Sequence, residues 1–163
     1  MAAGAALIAM LAQMRIPLWF TPVPITGQTL GVLLAATALG RRRGFGAALL
    51  YLTAGGLGLP VFAGLGAGPS HLAGPTGGYL LAFAPAAWLC GRLAERGWDR
   101  RFGTTVLALL AGTATIYLFG AGWLGLQIGF GRAIALGVLP FIPGDLIKLA
   151  LAASLLPLVR RLI

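Results

Sequence analysis

The stretch LPFIPGDLIKLALAASLLPL, residues 139–158, sets two charged side chains in an otherwise apolar sequence. Asp145 and Lys148 are three residues apart, so a helix places them on the same face. A charge at the centre of a membrane costs about 2.5–3.5 kcal/mol on insertion scales. The two charges therefore either compensate each other in a structural ion pair, or point together into a cavity and hold a polar ligand.

The residues just before this pair favour the second interpretation. Pro143 and Gly144 start or break a helix here, which leaves free backbone N–H groups and the positive end of a helix dipole beside Asp145. Membrane proteins build binding sites from discontinuous helices of this kind. We therefore predict that residues 139–158 form one half of a ligand pocket.

The composition is that of an integral membrane protein. Of the 163 residues, 59% are hydrophobic and 9% are charged, whereas a soluble domain has about 25% charged residues. The net charge of +9 does not indicate nucleic-acid binding, because the basic residues stand in short clusters between apolar runs. Such clusters are typical of loops that fix orientation in a membrane. The single cysteine, Cys90, excludes an internal disulfide.

The apolar runs predict six transmembrane helices in one all-α domain, residues 1–163. A membrane-spanning helix needs about 20 residues, and the first run, residues 1–14, reaches this length only if it continues toward residues 16–20. The second helix is predicted to end at Gly40, before three arginines. The remaining helices are predicted at residues 45–59, 77–91 and 103–123, followed by a last helix that ends at Leu158 or Val159.

The predicted connections differ in composition. They are a proline turn at residues 20–29, a loop rich in glycine and proline at 56–78, a charged segment at 92–102 and a loop at 124–136. Glycine and proline at this density break regular helices. The loop at 56–78 is long and uncharged, so it is a candidate lid over a cavity.

The distribution of basic residues orients the helices. If the amino terminus is cytoplasmic, the outer connections hold only Arg15 and Arg132. An excess of Lys and Arg on the cytoplasmic side is the rule in membrane proteins, so both termini are predicted to be cytoplasmic. The basic residues on the inner side are then Arg41, Arg42, Arg43, Arg92, Arg96, Arg100, Arg101, Arg160 and Arg161.

Polar side chains recur where the helices meet the outer loops. Besides Asp145, they include Thr26, Gln28, Thr76 and Tyr79. Polar groups that converge under long uncharged loops indicate an externally open pocket for a small molecule. For Thr26 and Gln28 the alternative is that they cap the second helix.

Small residues recur four apart in the first apolar run. Ala2 precedes Ala6, and Ala5 precedes Ala9, with this spacing. The pattern gives a smooth ridge that another helix can approach closely. That helix belongs either to this chain or to a partner protein, and the pattern leaves both open.

Four motifs resemble those of a known family. PVPITGQTLGVLLAATALG (residues 22–40), GGLGLPVFAG (55–64), GPTGGYL (74–80) and PFIPGDLIK (140–148) occur in this order. Together they are similar to the BioY family, the biotin-binding membrane subunit of energy-coupling factor (ECF) transporters. The resemblance extends from about Pro22 to Lys148.

The resemblance implies a fold, a substrate and partners. It implies six membrane helices in a prokaryotic cell membrane, capture of biotin from outside, and assembly with a transmembrane coupling protein and two ATP-hydrolysing cassette subunits. Substrate contact carries over to Gly144, Asp145 and Lys148. Docking on the coupling protein carries over to the small-residue first helix, Ala2, Ala6 and Ala9.

The chemistry of biotin is compatible with these residues. Its ureido ring offers two N–H donors and one carbonyl acceptor, and its valerate carboxylate needs donors or a cation. Asp145 can accept from the ureido N–H groups, Lys148 can donate to the ureido oxygen or the carboxylate, and Gln28 can serve either end. The sequence leaves these assignments open. Tyr79, Phe62 and Trp123 are candidates to cover the ring and chain.

No motif indicates catalysis. The sequence has no P-loop for ATP hydrolysis, and its only histidine, His71, has no second metal ligand at a useful spacing. His71 is interpreted as a loop residue, with ligand contact as the alternative. No cofactor or metal is expected.

Two other functions remain to be compared with substrate capture. A self-sufficient secondary transporter could couple to protons through Asp145 and Lys148, although a short bundle offers few relay groups. A scaffold subunit without a ligand would leave both charges unexplained.

Overall fold

The fold is almost entirely helical. The computed structural model describes residues 1–162, with side-chain burial for residues 1–157. The side chains of Arg160 and Arg161 therefore lie outside the described residues. The elements are α1 (Ala2–Ala12), β1 (Arg15–Ile16), β2 (Ile25–Thr26), α2 (Gln28–Gly56), α3 (Pro69–Ala73), α4 (Gly77–Leu81), α5 (Phe83–Glu95), α6 (Phe102–Ile128), α7 (Phe130–Gly137), a 3₁₀ turn (Leu139–Phe141) and α8 (Ile142–Leu162).

Six helical segments make up the bundle, and their number agrees with the sequence prediction. They are α1, the two halves of α2, the α4–α5 pair, α6 and α8. Of the described helices, α6 and the segment Phe130–Pro157 are long and apolar enough to cross a membrane. Many large apolar side chains on the bundle surface are exposed, among them Leu107, Leu118 and Leu151. Such a surface suits lipid rather than water.

A single residue separates the two halves of α2. Gly40 has φ 77° and ψ 174°, a conformation that L side chains rarely adopt. The next helix begins at once, because the Arg41 backbone N–H donates to Glu95 Oε1 at 2.9 Å. The sequence predicts that the second helix ends at Gly40 and that the third begins at Phe45. The predicted end is confirmed, but the third helix already begins at Arg41, so the three arginines are helical rather than a connection.

The first helix does not continue as far as the sequence allowed. α1 ends at Ala12, and the chain then forms a short antiparallel hairpin in which Arg15 pairs with Thr26 and Ile16 with Ile25. Pro17, Pro22 and Pro24 keep the tip between the two strands out of any helix. α1 packs on α2 through Gly4, and a Cβ there would lie 2.9 Å from that of Ala47.

The predicted loop at residues 124–136 is wrong. α6 continues to Ile128, and α7 occupies Phe130–Gly137. The only break is Gly129, whose φ of 91° ends one helix and starts the next. The two polar residues of the predicted loop, Gln127 and Arg132, lie in α6 and α7 instead.

The ends of other elements differ less. The loop at 56–78 contains the short helix α3, and α5 extends to Glu95 rather than Gly91. α8 continues past the predicted end at Leu158 or Val159 to Leu162. Its start agrees with the sequence, because Pro143 and Gly144 lie in its first turn.

Candidate ligand-binding site

A cavity of about 350 Å³ lies between the hairpin, the start of α2, the α3–α4 region, α6 and the start of α8. This volume lies at the lower end of the ~300–1,000 Å³ typical of small-molecule pockets. Six of the seven predicted site residues line it or reach it with their side chains: Thr26, Gln28, Thr76, Tyr79, Asp145 and Lys148.

The charged pair of α8 forms one wall of the cavity. Lys148 Nζ donates to Asp145 Oδ1 at 2.9 Å and to the Thr26 carbonyl at 2.8 Å. Tyr117 OH, from α6, donates to Asp145 Oδ2. An ammonium has three donors and a carboxylate about four acceptor positions. The two groups are therefore paired with each other and still keep hydrogen-bonding capacity for a ligand.

The start of α2 supplies an amide next to this wall. Gln28 is 6% exposed, and its Nε2 donates to Tyr51 OH at 2.6 Å, while its Oε1 accepts from Thr26 Oγ1 at 3.0 Å. The Gln28 backbone N–H also donates to Thr26 Oγ1 at 3.4 Å. The cap of α2 is Gly27, without a side-chain cap hydrogen bond, so the alternative that Thr26 or Gln28 caps the helix is wrong. Thr26 holds the Gln28 side chain instead, and both residues line the cavity.

One buried hydroxyl in the cavity wall has no protein partner. Thr29 Oγ1 is inaccessible and makes no hydrogen bond to the residues that the structure describes. Burying a hydroxyl without a partner is costly. Thr29 belongs to the lining, but this inaccessible oxygen offers a ligand no contact in this conformation.

Tyr79 and Thr76 line the cavity from α4. Tyr79 OH donates to the Gly137 carbonyl at 2.8 Å, so the hydroxyl is already engaged and the ring forms the wall. A Cβ at Gly120 would lie 2.2 Å from that ring, which explains why α6 has no side chain there. Thr76 is the residue before the first turn of α4.

Three residues named from the sequence lie outside the lining. Gly144 faces open space, with nothing within 4 Å of an added Cβ. Phe62 is fully buried between Tyr51 and His71. Trp123 donates from Nε1 to the Gly74 carbonyl at 3.0 Å and so holds the α3–α4 connection.

Sequence reasoning did not place Tyr117 and Arg15 in the site. Tyr117 could have been noticed as a hydroxyl in the apolar run of α6. Arg15 is exposed and lines the cavity with its guanidinium over Gly64, where an added Cβ would meet Nη1 at 2.3 Å. Nothing in the local sequence indicates that this arginine lines the cavity.

His71 also lines the cavity. Its ring stacks on Phe62 with 5.2 Å between centroids. Burial lowers the pKa of His71 below its ordinary value, and the nearby Arg15 guanidinium lowers it further. The imidazole is therefore neutral at pH 7 and contributes an aromatic surface. No group of three or more His, Cys, Asp or Glu in the described part of the chain could hold a metal.

The two faces of α1 differ in exposure. Gly4, Ile8 and Ala12 are buried against the bundle, whereas Ala2 and Ala6 are exposed. Ala9 is half-buried and packs partly on the core. One side of the small-residue helix thus packs within the chain, and the other side is exposed, so docking on a partner protein stays a prediction.

Fold and site together define a class: an all-α membrane protein with a cavity lined by charged and polar side chains. The model of the BioY family matches residues 1–163. The chain therefore belongs to the BioY family, as its motifs indicate.

Relatives and a solved structure agree with this assignment. The chain is 46% identical over 131 residues to a probable biotin transporter BioY of Pyrococcus horikoshii, covering 80% of this chain and 76% of the relative. It is 41% identical to the biotin transporter BioY of Thermotoga maritima, covering 91% and 86%. The crystal structure of the S-component for biotin from an ECF-type ABC transporter superposes with a TM-score of 0.87 at 31% identity, covering 98% of this chain and 88% of that one.

Proposed function

We propose that this chain is the biotin-binding S component of an ECF-type ABC transporter. The observation that carries the proposal is the cavity with an acid, a base and an amide on its walls, in a chain of the BioY family. Relatives named as biotin transporters and the superposed biotin S-component support biotin as the substrate.

The ureido ring is assigned to the wall formed by α8. Asp145 accepts from the ureido N–H groups, because each of its oxygens keeps a free acceptor position beside its bond to Lys148 or Tyr117. The third N–H of Lys148 is free to donate to the ureido oxygen. Gln28, fixed by Tyr51 and Thr26, provides further polar contact. Tyr79 forms the apolar wall along the ring.

The valerate carboxylate is assigned to Arg15. The ammonium of Lys148 already balances Asp145, whereas the described residues give the Arg15 guanidinium no carboxylate within ion-pair distance. Arg15 is also exposed where it lines the cavity, which suits the end of the ligand that enters last. A guanidinium binds a carboxylate through two parallel hydrogen bonds.

Transport requires other chains. The sequence has no P-loop, and the superposed protein is an S-component of an ECF-type ABC transporter. We therefore assign the supply of energy to two ATP-binding cassette subunits, acting through a transmembrane coupling protein. The proposed docking surface is the exposed side of α1, which carries Ala2, Ala6 and the half-buried Ala9. The protein is placed as a multi-pass protein in a prokaryotic inner membrane, with both termini cytoplasmic, and it performs no catalysis itself.

Mass spectrometry of small molecules released from the purified protein tests this proposal. Biotin should be recovered in amounts approaching one per chain from cells grown with the vitamin. Recovery of a different solute at that level, with no binding of added biotin by the emptied protein, would overturn the assignment.

A further inference from the structure

One glutamine bridges the end of α1 and the loop that follows α2. Gln13 Nε2 lies 3.4 Å from the Val61 carbonyl and 3.2 Å from the Phe62 carbonyl, and its Oε1 accepts from the Leu65 N–H at 3.1 Å. These partners are about 50 residues away in sequence, and all belong to residues 61–66, which we name the cover turn. The same Nε2 also reaches the Ala9 carbonyl of α1 at 3.2 Å.

The cover turn needs an external support. Leu65 has φ 58°, a left-handed conformation that costs a non-glycine residue about 1–3 kcal/mol. Its side chain is 66% exposed, so apolar packing does not compensate for the strain. At the other end, Phe62 is buried and its N–H donates to the Gly66 carbonyl at 3.0 Å. Gln13 therefore bonds to both ends of the turn, and the bond that its Oε1 accepts from the Leu65 N–H supports the end that lacks packing.

The cover turn also forms part of the cavity wall. Ala63 lines the cavity, and Phe62 stacks on His71, which lines it as well. The Arg15 guanidinium lies over Gly64 in the same turn. A displacement of the cover turn would therefore open the cavity beside the group assigned to the ligand carboxylate.

We propose that Gln13 is a positioning residue that holds the cover turn closed and thereby sets the rates at which ligand enters and leaves. This rests on the proposed function for the identity of the ligand. The turn is closed in both the free and the bound states, and its hydrogen bonds to Gln13 break when it opens. Loss of these bonds therefore speeds entry and release together, with little change in affinity.

The test compares Gln13→Leu with wild type in the full-length protein in lipid nanodiscs, by stopped-flow measurement of biotin association and dissociation. Both rate constants should rise about tenfold, because the loss of the hydrogen bonds to Gln13 should make the open form of the cover turn about tenfold more populated. The matched control is Gln127→Leu. Gln127 is also exposed, and its single hydrogen bond, 3.5 Å to the Ala73 carbonyl, does not involve the cover turn, so both rates should stay unchanged.

A second measurement does not depend on the variant's folding. In wild type, the Leu65 amide should exchange slowly with deuterium, because it donates to Gln13 although its side chain is exposed. Unprotected exchange at Leu65, unchanged rates in Gln13→Leu, or a rise in dissociation alone would each overturn the proposal. If wild type binds no biotin, the proposed function fails, while the exchange measurement still tests the role of Gln13.

Discussion

At the scale of single residues, charge in an apolar sequence is the strongest signal this chain offers. Asp145 and Lys148 were found from sequence because an isolated charge in a membrane has to be compensated or used. Their other partners could not be found in this way. Tyr117 is 28 residues from Asp145 in the sequence, and Thr26 is 122 residues from Lys148. No local sequence pattern encodes such a contact.

Substitutions of Asp145 and Lys148 should affect the stability of the protein and its binding of biotin differently. Lys148→Met leaves the Asp145 carboxylate, 8% exposed, without its cation, and breaking a buried pair in this way costs about 3–5 kcal/mol. The double variant Asp145→Asn, Lys148→Met contains no uncompensated charge and should recover most of the lost stability. It should still bind biotin poorly.

Thermal unfolding in detergent and biotin titration of the same samples measure the two effects. A double variant as unstable as Lys148→Met would show that the pair does not act as a unit. A double variant that binds biotin like wild type would show that neither residue contributes to binding.

The role given to Arg15 predicts a dependence on the ligand's charge. Arg15→Gln should weaken biotin binding about tenfold, less at high salt because the residue is exposed. Binding of biotin amide, whose tail carries no charge, should be unaffected.

Calorimetry with both ligands makes the comparison. The control is Arg132→Gln, which removes the other arginine predicted on the outer side, one that does not line the cavity. An equal loss for both ligands in Arg15→Gln would mean that the side chain supports the fold of the hairpin rather than the carboxylate.

At the scale of helices, the sequence predicted their number better than their ends. The six segments follow from long apolar runs, which depend on composition alone. The breaks between helices depend on backbone conformation. Single glycines at positions 40 and 129 separate consecutive helices where the sequence predicts longer connections. Sequence cannot distinguish these two glycines from helical ones such as Gly122, because the difference is in φ.

Gly40→Ala should therefore destabilise the protein by about 1–3 kcal/mol. A Cβ there would meet Glu95 Oε1 at 2.8 Å with φ at +77°, and Glu95 is the acceptor for the first N–H of the second half of α2. Gly122→Ala is the matched control, because nothing lies within 4 Å of its added Cβ and alanine favours the helix. Equal thermal stability of the two variants would contradict the interpretation of Gly40 as the obligatory break.

At the scale of the whole molecule, the distribution of basic residues predicts the orientation, with both termini in the cytoplasm and the cavity on the outer side. Ser70 lines the cavity and should be reachable from outside the cell, whereas Arg96, an exposed residue of the charged connection, should be reachable only from the cytoplasm. Cys90 is buried, so its replacement by alanine gives a background for single-cysteine variants.

Labelling of intact cells with a membrane-impermeant maleimide reads the orientation directly. Ser70→Cys should react, and Arg96→Cys should react only after the cells are opened. The reverse pattern would place the cavity on the cytoplasmic side and exclude capture of a solute from outside.

The central claim is that the Asp145 carboxylate binds the ureido group of biotin. Calorimetric titration of biotin into wild type, Asp145→Asn and the control Glu95→Gln tests it most directly, since Glu95 is a carboxylate that does not line the cavity. We expect tight binding by wild type and Glu95→Gln, and a loss of at least about a hundredfold in Asp145→Asn, as for a charged hydrogen-bond partner. Equal affinity of wild type and a folded Asp145→Asn would contradict the claim.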